Sequence, residues 1–335
     1  MKILCLTDFP IAPGQRWLWD YVRSNQDQVD FLHTQTNDRY AKWGKLFGYY
    51  PAYFKLAWQA YQRTRQPGYD LVVAWESDTG FPLGLLRRLL RQSHPPLAIL
   101  TFSIRGPLVH FPWLQRLGTS RVDLFTVPSQ YEVITYTQSL HLDPGRVRYC
   151  PYGVYDIQAR LVETPGESFV FSGGRSGRDY DVFLKAVEGL AYPVVLNARP
   201  FNLKGLTIPT NVTVNDLLPF PEFARLNHQS RFVVVPLQDV PEAVGITSVL
   251  YAMAAGKAVI ASQVPGIADY VEDGKTGLLV APGSPSELRR VIVRLWENPA
   301  EAEQMGRNAR RLYQAFYTFE AFAQRSIKLL QEFTG

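Results

Sequence analysis

Two glycine-containing segments in the second half of the sequence have the composition of anion-binding sites. The first, SGGRSGRDYDVFLKA at 172–186, follows the apolar run FVF. Glycines such as Gly173 and Gly174 let the backbone approach a ligand closely, and the guanidinium groups of Arg175 and Arg178 suit paired hydrogen bonds to phosphate. The segment therefore predicts a diphosphate site; a glycine-rich turn with two solvated arginines is the alternative.

The second segment, GITSVLYAMAAGKAVIAS at 245–262, is typical of a helix start followed by a buried strand. N–H groups in the first turn of a helix have no intrahelical partner, and the helix dipole there favours a negative charge. The segment predicts that this turn faces a phosphate, although its hydroxyl side chains could also serve only as helix caps. The residues of the turn are Gly245, Ile246, Thr247 and Ser248.

Asp179 and Asp181 form an Asp-x-Asp pair of the kind that can hold a metal–nucleotide complex. They stand where a helix is predicted to begin, and acidic residues are common in first turns because the helix dipole favours them. The sequence therefore favours a helix start, and neither a metal nor another cofactor is expected.

Length and composition indicate an intracellular protein of two domains. The chain has 335 residues, of which 46% are hydrophobic, enough to bury two cores. Its two cysteines, Cys5 and Cys150, cannot form a disulfide framework, which is typical of a reducing compartment. The opening MKILCLTDFP has too short an apolar run for a secretory signal, and no stretch approaches 18 consecutive apolar residues. A cytoplasmic location is expected.

Positive charge is concentrated in the first half of the chain. The net charge is +5, and residues 40–121 contain 11 basic and 3 acidic side chains. The segments 40–61, with nine aromatic residues, and 86–91 predict peripheral binding to an anionic membrane surface. Aromatic packing in a core or against an acceptor sugar is the alternative, and nucleic acid is not expected because no motif for it is present. The basic side chains concerned are Lys42, Lys45, Lys55, Arg87, Arg88 and Arg91.

Short apolar runs alternate with longer helical stretches along the chain. Near-continuous apolar runs are typical of parallel strands that helices cover on both faces. The runs fall into two series of six, which predicts an α/β fold of two tandem doubly wound, Rossmann-like domains facing a central cleft. The runs are KILCLT, VDFLHT, LVVAWE, LAILTF, DLFTV and VRYCPY, followed by FVFSGG, PVVLNA, VTVND, FVVVPL, AVIAS and GLLVA.

Turn-forming residues at 151–168 mark the predicted junction between the two series. We expect an N-terminal domain over 1–155, a C-terminal domain over 156–318 and a helix over 319–335 that returns to the N-terminal domain. The helix starts predicted in the tail are Ser286 and Pro299.

Within the second series, PEAVGITSVLYAMAAGKAVIASQVPGIADYVEDGKTGLLVAPGSPSELRRVI resembles the C-terminal half of the family-4-type glycosyltransferases of the GT-B fold. The SGGRSGRDYDVFLKA loop is similar to that family's Gly-Arg loop, and VPSQYEVITY, VRYCPYGV and FYTFEAFAQRSI also fit its pattern. The resemblance covers residues 126–335. It implies a retaining, metal-independent hexosyltransferase that moves a hexose from a nucleotide sugar, a UDP- or GDP-sugar, to a lipid-linked, polysaccharide or other hydroxyl acceptor.

The resemblance also implies roles for individual residues of the two glycine-containing segments. Arg175 and Arg178 would hold the donor diphosphate together with the backbone at Gly173 and Gly174. The turn at 245–248 would donate hydrogen bonds to the phosphate or the sugar.

A pair of glutamates seven residues apart is usual in this family, and the present chain departs from it. The second position, which contacts the donor ribose, is Tyr251, and the first falls on Ala243. The adjacent Glu242 keeps the usual three-residue step to Gly245, so we expect Glu242 to contact the donor sugar. A tyrosine cannot replace a carboxylate that accepts two ribose hydroxyls. Two alternatives therefore stay open: a catalytically silent GT-B protein that binds a nucleotide sugar or a partner, and a nucleotide-sugar epimerase.

The acceptor is expected to lie in the first half of the chain, near residues that follow predicted strands. Gly14 lies in the Pro/Gly loop after the first strand, where the family places a loop near its acceptor, and Ser103 lies in TFSIRG. His110 stands further along, among prolines and aromatics, where a histidine with a structural or surface role is the alternative.

Overall fold

The chain forms two compact units, each built on its own parallel sheet. The first unit is Met1–Pro151 together with Phe322–Gly335, and the second is Tyr152–Ala321. The structure is a computed structural model, and the residues that it describes are 1–22, 26–34, 50–104, 110–156, 168–216 and 218–334.

Six strands form the sheet of the first unit. They are β1 (Lys2–Thr7), β2 (Gln28–His33), β3 (Leu71–Ala74), β4 (Leu97–Ile99), β5 (Leu124–Val127) and β6 (Val147–Tyr149). Their order across the sheet is β2-β1-β3-β4-β5-β6, and each neighbouring pair is parallel. The central strands β3, β4 and β5 consist of buried residues only, because neighbouring strands and helices cover both of their faces.

The helices of the first unit connect these strands. They are α1 (Tyr50–Thr64), α2 (Ser77–Leu89), α3 (Pro112–Thr119) and α4 (Gln130–Leu140). Helix α2 contacts both α1 and α3. A Cβ atom at Gly84 of α2 would overlap the backbone oxygen of Gly118, so glycine is what lets α2 and α3 approach so closely.

The second unit contains the other six strands, again all parallel. They are β7 (Val170–Gly173), β8 (Val194–Asn197), β9 (Val212–Asn215), β10 (Phe232–Val235), β11 (Val259–Ser262) and β12 (Gly277–Val280). Their order is β12-β11-β10-β7-β8-β9, so consecutive strands run outward from β7 in one direction and then from β10 in the other. This reversal is the arrangement of the doubly wound dinucleotide-binding fold.

Helices pack on both faces of the second sheet. They are α5 (Tyr180–Val187), α6 (Phe220–Gln229), α7 (Ile246–Ala254), α8 (Pro285–Glu297) and α9 (Pro299–Leu312), followed by α10 (Phe319–Thr334), most of which groups with the first unit. Alternate residues of β10 enter different cores: Val233 packs in the cluster with Val249 of α7, and Val234 packs in the cluster with Ile292 of α8. Because successive side chains of a strand point to opposite faces of the sheet, neighbouring residues of β10 contribute to two different cores.

The predicted α/β class, with two doubly wound parallel sheets, is confirmed. Each strand lies within or beside the apolar run that predicted it, although most strands end before the run does. The predicted helix start at Ser286 is wrong by two residues. Ser284 caps α8 instead, accepting a hydrogen bond from Glu287 N at 3.4 Å, because Pro285 is suited to the first helical position that follows the cap.

The described residues include no helix long and apolar enough to cross a bilayer.

The predicted role of Arg87 at a membrane surface is wrong, because this side chain is fully buried and its Nη1 donates to the backbone oxygen of Pro95 at 2.7 Å. Burial lowers the pKa of Arg87 to about 10. Arg87 follows the buried Leu83 by four residues and so lies on the same inward face of α2. Lys42 and Lys45 lie outside the described residues.

Candidate functional site

Both glycine-containing segments lie at the point where the strand order of the second sheet reverses. The chain leaves β7 at Gly173 into the 173–179 loop, and it leaves β10 at Val235 into the connection that leads to α7. Strands β7 and β10 are parallel neighbours, so both connections start at the same edge of the sheet. Ligands of doubly wound sheets bind outside the carboxyl ends of the strands at this reversal, and the geometry therefore places the candidate site here.

The 173–179 loop has a defined shape that depends on glycine. Gly174 and Gly177 have φ values of 133° and 63°, which side chains with a Cβ rarely adopt. The loop is tied to the connection after β10, because Asp179 N donates to Pro236 O at 3.1 Å and Gln238 N donates to Gly177 O at 2.9 Å. It is thus held at both its middle and its end.

Arg178 lies within this loop rather than on its surface. Its side chain is 8% exposed, Nη2 donates to Ser248 Oγ at 2.6 Å, and Nη1 donates to Ser176 O at 3.0 Å. Its Nε also donates to Gly173 O at 3.3 Å. Gly174 is required beside it, since a Cβ there would overlap the guanidinium group.

The charge of Arg178 has no acidic partner among the described residues. All its hydrogen-bond acceptors in that part of the chain are neutral oxygens, and burial lowers its pKa from the ordinary value. A buried charge without a counter-ion is unfavourable. An anion bound beside Arg178 would therefore supply the counter-charge that this side chain lacks among the described residues.

Helix α7 begins at the same place. Gly245 precedes it in the left-handed conformation with φ of 87°, and a Cβ there would stand 2.9 Å from Leu237 Cδ1. The Ile246 side chain packs in the core, Thr247 is exposed, and Ser248 is buried with its hydroxyl directed to Gly173 O and Arg178. The turn thus joins the two glycine-containing segments through Ser248 and presents Thr247 to solvent.

The other predicted donor-site residues of this unit differ in exposure. Arg175 is exposed, and its backbone oxygen accepts from Asn202 Nδ2 at 2.9 Å. Glu242 is half-buried in the connection that precedes α7. Their contacts with a donor stay predictions, as do those of Gly173, Arg178 and the 245–248 turn.

The Asp-x-Asp pair has the helix-start role that the sequence favoured. Asp179 caps α5 by accepting from Val182 N at 3.1 Å, and Asp181 forms an ion pair with Lys185 at 2.6 Å. The described residues contain no cluster of three potential metal-ligating side chains.

Two phenylalanines that the sequence analysis missed stand beside Tyr251. The centres of the Phe220 and Tyr251 rings are 5.0 Å apart, and those of Phe223 and Tyr251 are 6.2 Å apart. The sequence signal for this contact is weak, because the phenylalanines lie on α6 and Tyr251 lies on α7, with β10 between them in the chain.

The first unit has a pocket of about 110 Å³ beyond the carboxyl ends of β3 and β4. Ser103 lines it, and Ser103 N donates to Ser77 Oγ at 2.8 Å. Gly14, in an exposed turn with φ of 82°, and the exposed His110 are not among its described lining residues. Of the three predicted acceptor-side residues, Ser103 is the one found among the described residues that line this pocket. The remaining described lining residues are Tyr50, Glu76, Asp78, Phe81, Pro82, Phe102, Ile104 and Gln115.

Part of the chain is similar to known glycosyltransferases. Residues 205–312 match the family described as Glycosyl transferases group 1. The chain is 32% identical to the D-rhamnosyltransferase WbpZ of Pseudomonas aeruginosa over 158 residues, which are 45% of this chain and 41% of that protein. The chain spans less than half the length of the curated relatives it matches.

Solved structures share the fold over the whole chain. The sucrose-phosphate synthase of Thermosynechococcus elongatus superposes with a TM-score of 0.75 at 21% identity, covering 99% of each chain. HepE of Anabaena in complex with UDP-glucose superposes with a TM-score of 0.71 at 17% identity, covering 99% of this chain and 100% of that one. The fold is therefore that of the GT-B glycosyltransferases.

Proposed function

We propose that this chain is a glycosyltransferase that transfers a hexose from a nucleotide sugar to a hydroxyl acceptor. It has the GT-B fold and a segment that matches the family Glycosyl transferases group 1. The observation that carries the proposal is the buried Arg178 charge, which lacks an acidic partner among the described residues and lies between a glycine loop and a helix start. A diphosphate supplies the missing negative charge.

The chemistry proposed for the site is stabilisation of the leaving group. As the bond between the anomeric carbon and the diphosphate oxygen breaks, negative charge grows on the diphosphate. Arg178, held by Ser248, and the first turn of α7 are fixed donors beside that charge, which is an arrangement that lowers the barrier effectively. The exposed Arg175 adds a second cation in the same loop. The new bond joins the anomeric carbon to the acceptor oxygen, and the proton of the acceptor hydroxyl passes to the departing diphosphate or to solvent.

Finer features of the reaction belong to the same proposal. We assign Glu242 to the sugar end of the donor, because it is half-buried in the connection that leads into the helix start. Retention of the anomeric configuration and independence of metal follow the family-4-type resemblance. The capping and ion-pair roles of Asp179 and Asp181 support metal independence.

The donor and acceptor classes are proposed from different observations. A UDP-sugar is supported by HepE, which adopts this fold in complex with UDP-glucose, and a GDP-sugar is the other donor class that the resemblance implies. The acceptor, lipid-linked or a polysaccharide, is assigned to the first unit, where the Ser77, Ser103 and Glu76 side chains line a pocket at strand ends. Oxygen-bearing side chains of this kind suit the hydroxyls of a sugar.

Donor binding is the first test of the proposed function. Calorimetric titration of the wild-type protein with UDP-, GDP- and ADP-sugars should show one donor class binding at micromolar concentration. NMR of the bound donor should then show slow hydrolysis with retained configuration, because water replaces the acceptor.

Other outcomes of these titrations select the alternatives. Interconversion of donor sugars without an acceptor would identify an epimerase. Donor binding without hydrolysis or transfer would identify a catalytically silent protein, and absence of binding at millimolar concentration would overturn the donor site itself.

Peripheral membrane binding is a second proposal, carried by the exposed side of α1. Phe54 and Trp58 are 44% and 49% exposed on successive turns, and Lys55 is exposed beside them. Arg88 and Arg91 are exposed at the end of α2, which packs against α1. Aromatic rings with flanking cations suit the interface of an anionic bilayer.

Liposome sedimentation tests this second proposal. Changing Lys55, Arg88 and Arg91 to Gln should weaken binding to anionic vesicles on the order of 100-fold, since each cation contributes about 1 kcal/mol. A triple variant of equal charge in the second unit, at the exposed residues Lys275, Arg290 and Arg307, is the control and should bind as the wild type does. Equal loss in both variants, or binding that salt does not weaken, would count against a specific surface.

A further inference from the structure

An aromatic cluster stands between helices α6 and α7 in the second unit. Phe220 is 47% exposed and packs on Tyr251 with ring centres 5.0 Å apart. Phe223 packs edge-on against Tyr251 and also against the buried Phe171 of β7, at 6.2 and 5.6 Å. Phe171 and Phe223 therefore anchor the cluster in the core, while Phe220 presents its ring to solvent.

The cluster adjoins the glycine loop directly. Phe223 packs so closely on Gly173 that a Cβ there would stand 2.8 Å from Phe223 Cε2. Tyr251 follows Ser248 by three residues on α7, and residues at this spacing lie on the same side of a helix. Ser248 in turn holds Arg178 at 2.6 Å. The aromatic rings and the buried Arg178 cation are thus joined by continuous contacts within a single unit.

An exposed aromatic ring joined in this way to a buried cation suits a ligand that has a planar ring attached to an anion. Exposed aromatic rings bind nucleobases by stacking, which contributes about 1–3 kcal/mol per base, and the loop with Arg178 suits a diphosphate. A nucleoside diphosphate has both parts.

The described residues of the aromatic cluster and its helix turn offer no free carboxylate to a ribose. The Tyr251 hydroxyl has no hydrogen-bond partner among the described residues, and one phenol cannot accept from two sugar hydroxyls at once as a carboxylate does. Glu222, the carboxylate on the turn of α6 that carries Phe220 and Phe223, is paired with Arg225 through a 2.9 Å bond between Oε2 and Nε.

Building on the proposed function, we infer that Phe220 and Tyr251 bind the donor nucleoside through their rings and do not distinguish ribose from 2′-deoxyribose. The substrate class accordingly includes 2′-deoxynucleoside diphosphate sugars alongside their ribonucleoside counterparts.

Calorimetric titration with UDP, GDP and their 2′-deoxy counterparts tests this inference. For the nucleotide that binds more tightly, the wild-type affinities of the ribo and deoxy forms should agree within about threefold, whereas loss of a well-used hydrogen bond would cost about tenfold. Tyr251→Phe should leave the ratio of the two affinities unchanged, because the ring provides the contact and the hydroxyl does not select between the two sugars. Tyr251→Glu should favour the ribo form by about tenfold or more.

Phe220→Ala separates ring contact from anion binding. It should weaken both nucleotides about tenfold while leaving the affinity for inorganic pyrophosphate unchanged. Phe316→Ala, which removes a ring of similar exposure elsewhere in the unit, is the matched control. It should change neither the nucleotide affinities nor the pyrophosphate affinity.

The outcomes distinguish this inference from the proposed function. A wild-type preference for the ribo form above about threefold, or an unchanged nucleotide affinity in Phe220→Ala, would overturn the inference and leave the donor site standing. Failure of every nucleotide to bind at millimolar concentration would overturn both.

Discussion

Arg178→Met is expected to weaken nucleotide-sugar binding about 100-fold, which corresponds to about 3 kcal/mol. The wild-type guanidinium is buried among neutral oxygens, so a diphosphate would gain a counter-charge in surroundings where water screens little. Met fills a similar volume without charge. Isothermal titration with the preferred donor measures the difference.

The matched variant is Arg175→Met, which removes the same charge from an exposed position in the same loop. Solvent screens this side chain, so its loss should cost about 1 kcal/mol or less, about fivefold in affinity. Arg178→Lys keeps the charge but not the paired N–H donors of the guanidinium group. Its affinity for the donor should therefore lie between those of the wild type and Arg178→Met. If Arg178→Met retains wild-type affinity while folding normally by circular dichroism, the buried cation is structural and the proposed donor site is wrong.

Gly306→Ala in α9 is expected to lower the free energy of unfolding by about 2 kcal/mol. Helix propensity alone predicts the opposite, a gain of about 1 kcal/mol, because alanine favours helical backbone over glycine. At this position, however, a Cβ would overlap the backbone oxygen of Gly256 and stand 3.2 Å from Lys257 Cα. Backbone atoms cannot rotate away as a side-chain end can, so α9 must shift.

Urea unfolding followed by circular dichroism measures this effect. Gln304→Ala, at an exposed position of the same helix, is the control and should change stability by no more than about 0.5 kcal/mol. A more stable Gly306→Ala protein would mean that α9 can shift without cost. Its close approach to the Gly256 turn would then contribute nothing to the free energy of unfolding.

The strands were predictable because parallel strands buried on both faces leave an unbroken apolar signature. The run LVVAWE illustrates the limit, since strand pairing stops at Ala74 while the apolar character continues to Trp75. The start of α8 was misplaced because both Ser284 and Ser286 can cap a helix, and Pro285 decides between them only once its place in the first turn is considered.

The meeting of the two glycine-containing segments also followed from the sequence. Both glycine-containing segments come directly after strands that the doubly wound topology brings side by side, so their meeting depends only on the fold class. The burial of Arg178 did not follow, because a glycine loop with an arginine has the same composition whether the side chain points inward or outward.

The sequence contained a signal for the burial of Arg87, but the basic composition of the segment outweighed it. It stands four residues after Leu83, so helical periodicity assigns it to the inward face of α2, whereas composition alone favoured the surface. The contact of Phe220 with Tyr251 had no such signal, because it depends on how two helices separated by a strand pack together.

The bonds from Arg178 to Gly173, Ser176 and Ser248 are made within the protein itself. The conformational entropy of the loop is therefore lost when the chain folds, not when a ligand arrives. Such preorganisation leaves more of the interaction energy available as affinity. Because the loop is already in place, we expect variants of the proposed donor site to differ mainly in how long the ligand stays bound.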